Sequence, residues 1–167
     1  MEKKQLQLFK LNRGHAVACL PFLISNETSQ LYGQYFNALD FEASPTLENA
    51  LFDYGIVDEP YHNVYDTHVV EIRAQDKLIA AGIFDKGKDS IAGILNFFDP
   101  AYRKYNPGKY LMLLKIQYCM EQGIRYYYPG YIAEGYEKFN YKLFPGSQFA
   151  EIYDADLESW QPYQQKY

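Results

Sequence analysis

The chain has 167 residues, 48% apolar and 22% charged. That is the size and balance of one globular domain with its own core, and it excludes a fibrous or disordered chain. A net charge of −5 excludes indiscriminate nucleic-acid binding, and no stretch reads as a signal peptide or membrane span. Cys19 and Cys119 lack any CxxC spacing, and His15, His62 and His68 form no ligand motif. No metal, cofactor or disulfide framework is expected, and a reducing, cytoplasmic setting is the simplest reading.

Met1 to Arg13 alternates apolar and polar residues (Leu6, Leu8, then Phe9 and Leu11) and reads as an edge strand. Ala16 to Ile24, interrupted by Pro21, reads as a second strand near an edge. Asn26 or Thr28 is placed to cap a helix running to about Asp40, with Leu31, Tyr35 and Leu39 on one stripe. A short helix over Leu47 to Tyr54 stops at Gly55, and residues 56–64 read as loop. Three strands follow, Thr67 to Arg73, Leu78 to Asp85 and Ser90 to Phe98, joined by turns short enough to make an antiparallel meander.

The run Ser90 to Phe98 is almost unbroken in its apolar character, as a central strand covered on both faces would be. After it come a polar, Pro-punctuated loop, Asp99 to Pro107, and a largely buried helix, Gly108 to Gln122, with Met112, Ile116 and Met120 expected inward. Gly123 ends that helix, and Ile124 to Tyr128 returns to a strand. Strand, loop, helix, strand is a βαβ-type crossover whose loop opens onto a helix N-terminus. A short helix over Ala133 to Asn140 and a last strand near Phe149 to Tyr153 complete the reading. Asp154 to Tyr167 shows no clear period, and no linker divides the chain.

Charge is unevenly spread. Residues 1–100 hold 8 Lys and Arg against 14 Asp and Glu, whereas residues 101–142 hold 7 against 3. The positive segment contains the loop Arg103-Lys104-Tyr105-Asn106-Pro107-Gly108-Lys109. Backbone donors and cations together suit a pyrophosphate or a nucleic-acid 3′ end, although Asn-Pro-Gly is also an ordinary turn. Asp99 follows the strand directly and reads either as a functional carboxylate or as a cap before Pro100. Tyr126, Tyr127, Tyr128 and Tyr131 alternate across a strand, so some face the core and others a cleft.

The order of meander, strand, ligand loop and helix resembles the GNAT acyltransferase fold. More specifically, NFFDPAYRKYNPGKY, IRYYYPGYI and YEKFNYK resemble the C-terminal domain of arginyl/leucyl-tRNA–protein transferases. That family carries F-F-x-D-P-x-x-R, L-G-x-Y, Y-x-x-L-G-Y and K-M-x-Y-K. The matching positions are Phe97, Phe98, Asp99, Pro100, Arg103, Gly108, Tyr110, Tyr126, Gly130, Tyr131, Lys138, Tyr141 and Lys142, and good coverage runs over residues 67–144. Pro107 and Pro129 replace leucines, Phe139 replaces a methionine, and the family's Cys-rich N-terminal module has no counterpart beyond Cys19-Leu20-Pro21.

The resemblance implies an α+β, GNAT-like single domain over 1–167. It implies an aminoacyltransferase that moves Arg or Leu from charged tRNA to the N-terminal amine of an acceptor beginning with Asp or Glu. Asp99 and Tyr131 are the implied catalytic residues. Arg103, Lys104, Gly108, Lys109, Tyr110, Tyr128, Gly130, Lys138, Tyr141 and Lys142 are the implied substrate and tRNA contacts. Aminoacyl-tRNA is then a co-substrate, and no cofactor or membrane partner is implied. Two alternatives stand beside it: an N-acyltransferase using acetyl-CoA or another acyl-CoA, and a binding module that kept the fold but lost the chemistry.

Overall fold

Seven consecutive residues, Leu78 to Phe84, are buried in one strand of a five-stranded sheet. The strands are β1 (Ala16–Pro21), β2 (Asp66–Ala74), β3 (Lys77–Lys86), β4 (Ser90–Phe98) and β5 (Tyr126–Tyr128), in that spatial order. The first four are antiparallel neighbours, and β5 joins β4 in parallel. This computed structural model describes residues 2–52, 65–132 and 137–164, with the side chains of Phe52, Glu137 and Lys138 outside the described set. The expected loop at 56–64, the stop at Gly55 and the start of the Ala133 helix therefore lie outside it.

The architecture is α+β, with helices on both faces of the mixed sheet. On one face α2 (Asn26–Phe36) and α3 (Leu47–Phe52) pack Leu31, Tyr32 and Leu47 against Val69, Ala81, Ile83 and Phe97. Ser25 rather than Asn26 or Thr28 caps α2: its hydroxyl accepts from the Thr28 N–H at 3.2 Å while Thr28 accepts from the Ser25 N–H at 3.0 Å. Glu27, in the first turn of α2, takes two bonds from Arg73 on β2 and one from the Leu78 N–H, which ties helix to sheet. On the other face lies α4 (Pro107–Gln122), covering Gly82 and Phe84. No described helix is long and apolar enough to cross a membrane.

Three expectations are corrected. Lys3 to Asn12 is a helix, α1, not an edge strand. Its buried residues Gln5, Leu8 and Asn12 follow helical spacing, whereas Leu6 and Leu11, which made the alternation, are exposed. Ser90 to Phe98 is not covered on both faces: only Ile91 and Phe97 are fully buried, and β3 is the enclosed strand. In α4 Met112 is buried but Met120 is 78% exposed. At about 100° per residue, eight residues carry Met120 roughly 80° off the inward line, and Cys119 occupies it instead.

Residues Met1–Gly130 form one compact unit and Tyr131–Tyr167 a second. The second holds short 3-10 helices at Glu137–Leu143 and Ser147–Phe149 and a hairpin of β6 (Glu151–Asp154) with β7 (Ser159–Pro162). The strand β7 stands where the sequence shows no period.

Candidate functional site

The end of β4 is held by charge. The backbone N–H of Asp99 still donates to Ile79 O on β3 at 2.9 Å. Its side chain, 6% exposed overall, then leaves the ladder. One carboxylate oxygen accepts from Lys77 Nζ at 2.6 Å and the other from the Ala101 N–H at 2.9 Å. Burial pushes the carboxyl upward, but these two donors outweigh it and hold Asp99 below its ordinary range. Asp99 thus caps the 3-10 helix Pro100–Tyr105 and anchors it to the first residue of β3.

That helix ends at Asn106, whose φ of 51° and ψ of 53° are left-handed, and Pro107 opens α4. Pro107 brings no N–H and the Tyr110 N–H donates to Asn106 O at 3.1 Å, so the early backbone N–H groups of this turn are those of Gly108 and Lys109. Gly108 sits in that turn with room to spare, since a Cβ there would meet only Phe98 at 3.9 Å. Arg103 and Lys104 are exposed, with Lys104 Nζ 5.2 Å above the Tyr105 ring, and Lys109 is half-buried. Tyr110 is buried and meets Phe9 of α1 edge-on at 5.3 Å, so it packs helix on helix.

Along β4 the sheet parts. β4 pairs with β5 only at Ser90–Tyr126, Ile91–Tyr127 and Ala92–Tyr128. The register between β3 and β4 also shifts there: Phe84 faces Gly93 and Ile83 faces Leu95, leaving Ile94 as the extra residue of a bulge, 45% exposed. Gly93 leaves room at the parting: a Cβ there would lie 3.3 Å from the Tyr127 hydroxyl, a tight approach that the Tyr127 side chain would have to yield to. From Gly93 to Phe98 no described strand pairs the outer edge of β4. Tyr126 and Tyr128 share the exposed face of β5, stacked at 6.5 Å, and Gly130 takes a φ of 97°.

Sequence reasoning missed Lys115. By charge count it belongs to the positive segment, yet it is 1% exposed, and its ammonium donates to Ile83 O and to Asn96 Oδ1, both at 2.9 Å. It satisfies a carbonyl at the bulge and pins β3 to β4. Burial pushes its pKa down to about 7. Gly82 makes room for it: a Cβ there would fall 2.9 Å from Asn96 Oδ1 and 3.1 Å from Lys115 Cε. The available signal was a helix apolar all round with one lysine in its middle.

In the second unit, Lys142 Nζ donates to Tyr131 O at 2.8 Å and lies 4.5 Å from the Tyr131 ring and 5.1 Å from that of Phe139. Burial lowers its pKa. Tyr131 is 69% exposed, and burial raises the pKa of Tyr141. The side chain of Lys138 lies outside the described residues. Asp99, Arg103, Lys104, Gly108, Lys109, Tyr110, Tyr128 and Gly130 thus belong to the first unit, and Tyr131, Tyr141 and Lys142 to the second. No group of acidic, His or Cys side chains among the described residues is placed to hold a metal.

Comparison with known proteins decides the family. Residues 27–150 match the model of the arginine-tRNA-protein transferase C terminus. The chain belongs to this family. It is similar to proteins named aspartate/glutamate leucyltransferase: 36% identical to that of Hahella chejuensis over 46% of this chain and 33% of the relative. Likeness to the protein of Maricaulis maris is 31% over 58% of this chain and 37% of the relative, and to that of Acinetobacter baumannii 28% over 85% and 52%. The chain spans about a third to a half of the length of these relatives. The matched region of this family includes the parting of β4 from β5, the Asp99 cap and the Lys142 clasp, but not α1.

Proposed function

We propose that the chain is an aminoacyl-tRNA–protein transferase of GNAT-like fold, acting in the cytoplasm on acceptors with an N-terminal Asp or Glu. The observation that carries this reading is the family match across residues 27–150, which takes in every element from α2 to the 3-10 turns after β5. The antiparallel order β1 to β4 and the parallel, soon-parting β5 support the fold.

In the reaction the acceptor's α-amine attacks the carbonyl of the ester joining the amino acid to the tRNA 3′ adenosine. A C–N bond forms, the ester C–O bond breaks, and the adenosine hydroxyl leaves with a proton from the amine. The exchange of ester for amide runs downhill, so alignment and stabilisation of the tetrahedral oxyanion supply most of the acceleration. The open edge of β4 beyond Ala92 presents backbone donors for that purpose.

Asp99 serves this chemistry by position. Both its oxygens are engaged and its pKa is lowered, which makes it a weak proton acceptor and a strong anchor for the loop carrying Arg103 and Lys104. Those cations, with Lys109, meet tRNA phosphates. Lys142, with two of its three N–H donors beyond the bond to Tyr131 O, meets the acceptor carboxylate, a role for which the family motif also offers Lys138. Tyr131 contributes a hydroxyl to the reacting amine.

The deciding experiment supplies labelled leucyl- or arginyl-tRNA and peptides beginning with Asp, Glu, Asn or Gln. Transfer to the acidic pair alone is expected. No transfer from either tRNA, with acylation of the same peptides from acetyl-CoA, would replace this reading by an acyl-CoA N-acyltransferase. RNA binding with neither reaction would leave a binding module.

A further inference from the structure

A cavity of about 500 Å³ opens in the first unit where the α1–β1 turn, the β2–β3 turn and the 3-10 helix after Asp99 meet. It lies within the usual size of small-molecule sites, ~300–1,000 Å³. Lys10, Arg13, His15, Gln75, Tyr102 and Tyr105 line it, and no Asp or Glu contributes to its wall. In a chain of net charge −5 such a wall is a local reversal of sign.

The parts are held in place. Asn12 is buried, and its amide nitrogen donates to Leu8 O and Tyr105 O, both at 3.0 Å. That fixes the amide's orientation and turns Oδ1 to His15 Nδ1 at 3.2 Å. Nδ1 therefore carries the hydrogen, which leaves Nε2 outside this bond. The His15 ring meets Tyr105 edge-on at 4.8 Å, and Tyr102 and Tyr105 lie 6.0 Å apart at 32°. Lys77, paired with Asp99, also lies 5.6 Å from the Tyr102 ring. Gln75 adopts a φ of 55°, as the two-residue turn between Ala74 and Lys77 demands, and that turn fixes its place at the cavity.

Cations converging with aromatic walls are what a nucleotide requires: cations for the phosphate, rings for the base. We propose that this cavity takes one unpaired nucleotide of an RNA strand, its phosphate against Lys10 and Arg13 and its base against Tyr102 and Tyr105, with the Gln75 amide on the base edge. The choice of RNA over another anionic, planar ligand rests on the transferase reading above. No residue of α4 lines the cavity, whereas Arg103 and Lys104 share the 3-10 helix of Tyr102 and Tyr105, with Lys104 Nζ 5.2 Å from the Tyr105 ring. Because Tyr102 sits one turn after Asp99, a nucleotide held here fixes the strand beside the end of β4.

The test measures binding of a fluorescent single-stranded RNA hexanucleotide to the full chain over a salt series, with no transfer reaction involved. Lys10→Ala/Arg13→Ala is expected to weaken binding about 10-fold or more and to make the log–log salt slope shallower by ~0.7 for each phosphate that is no longer neutralised. Tyr102→Leu should weaken it about 5-fold at every salt concentration, as the removal of a stacking ring does. The melting temperature of the double variant should match the parent, since Lys10 and Arg13 are exposed. Unchanged affinity in the double variant, or preference for an acidic peptide over the hexanucleotide, would overturn the proposal. Failure of amino-acid transfer with cavity-dependent RNA binding intact would overturn the transferase reading and leave the nucleotide site standing.

Discussion

The units Met1–Gly130 and Tyr131–Tyr167 place their polar residues by opposite means. In the first, Asp99 and Lys115 are buried, and each has its partners supplied by strands and turns of the core. In the second, no described residue is fully buried, and Lys142 is held by one backbone carbonyl and two aromatic rings. A polar group inside a core must be satisfied or it costs the whole fold; a cation clasped at a surface is worth little to stability and is available to a ligand. The first unit therefore builds a fixed frame, and the second presents adjustable contacts.

Truncation of comparable rings gives the sharpest contrast. Phe97 is fully buried between α2 and the sheet, meeting Tyr32 edge-on at 5.5 Å. Phe97→Ala should cost ~3–5 kcal/mol in chemical denaturation, whereas Phe139→Ala should cost no more than ~1 kcal/mol. Equal losses would show that the second unit has a core of its own.

Lys115 gives the next largest effect, through pH. Its folded pKa, about 7, lies below its ordinary value of 10.5, so between these values the unfolded chain binds more protons than the folded one. Stability then rises with pH across that window, with a slope of up to ~1.4 kcal/mol per unit. Denaturation midpoints of the parent and of Lys115→Met, measured from about pH 6.5 to 9, should show the slope in the parent and not in the variant. Parallel curves would mean that Lys115 is charged throughout.

Asp99→Asn removes charge but keeps an acceptor for the Ala101 N–H. It should lower amino-acid transfer at least ~10-fold by loosening the loop that carries Arg103 and Lys104, a misalignment effect, and cost ~1 kcal/mol of stability. Because the folded pKa of Asp99 is depressed, its contribution is present above the ordinary value of 3.8 and fades as pH falls through the lower folded value. An Asp99→Asn protein that melts early yet transfers normally would confine Asp99 to the turn.

The smallest effects belong to the second unit. Lys142→Ala should raise KM for Asp- and Glu-start peptides several-fold while leaving stability within ~0.5 kcal/mol of the parent. Tyr131→Phe should change kcat less than Asp99→Asn does, since water replaces a lost hydroxyl. A large stability loss on either substitution would make the clasp structural.

Local pattern made much of this protein legible. Turns too short for a crossover dictated that β2, β3 and β4 be antiparallel neighbours, a helix apolar all round had to be buried, and Gly123 had to end it, as its φ of 68° does. The motif residues from Phe97 to Lys142 pointed to the family that the comparison then returned. These features depend on neighbours in the chain, and neighbours are written in its order.

Only tertiary packing decided the rest. Leu6 and Leu11 lie exposed on α1 while Gln5, Leu8 and Asn12 are taken inside, because Asn12 bonds to Tyr105, which lies far along the chain. A charge count tallied Lys115 only as one cation of the positive segment; the Ile83 carbonyl at the bulge and the space above Gly82 put it in the core. The sequence could not show that Asp99 accepts from Lys77 and from the Ala101 N–H, which lowers its pKa. The cavity wall joins Lys10, Gln75 and Tyr102 from three separate elements. A sequence states which groups are present, but whether a charge is buried, paired or open to a ligand depends on the groups that folding brings beside it.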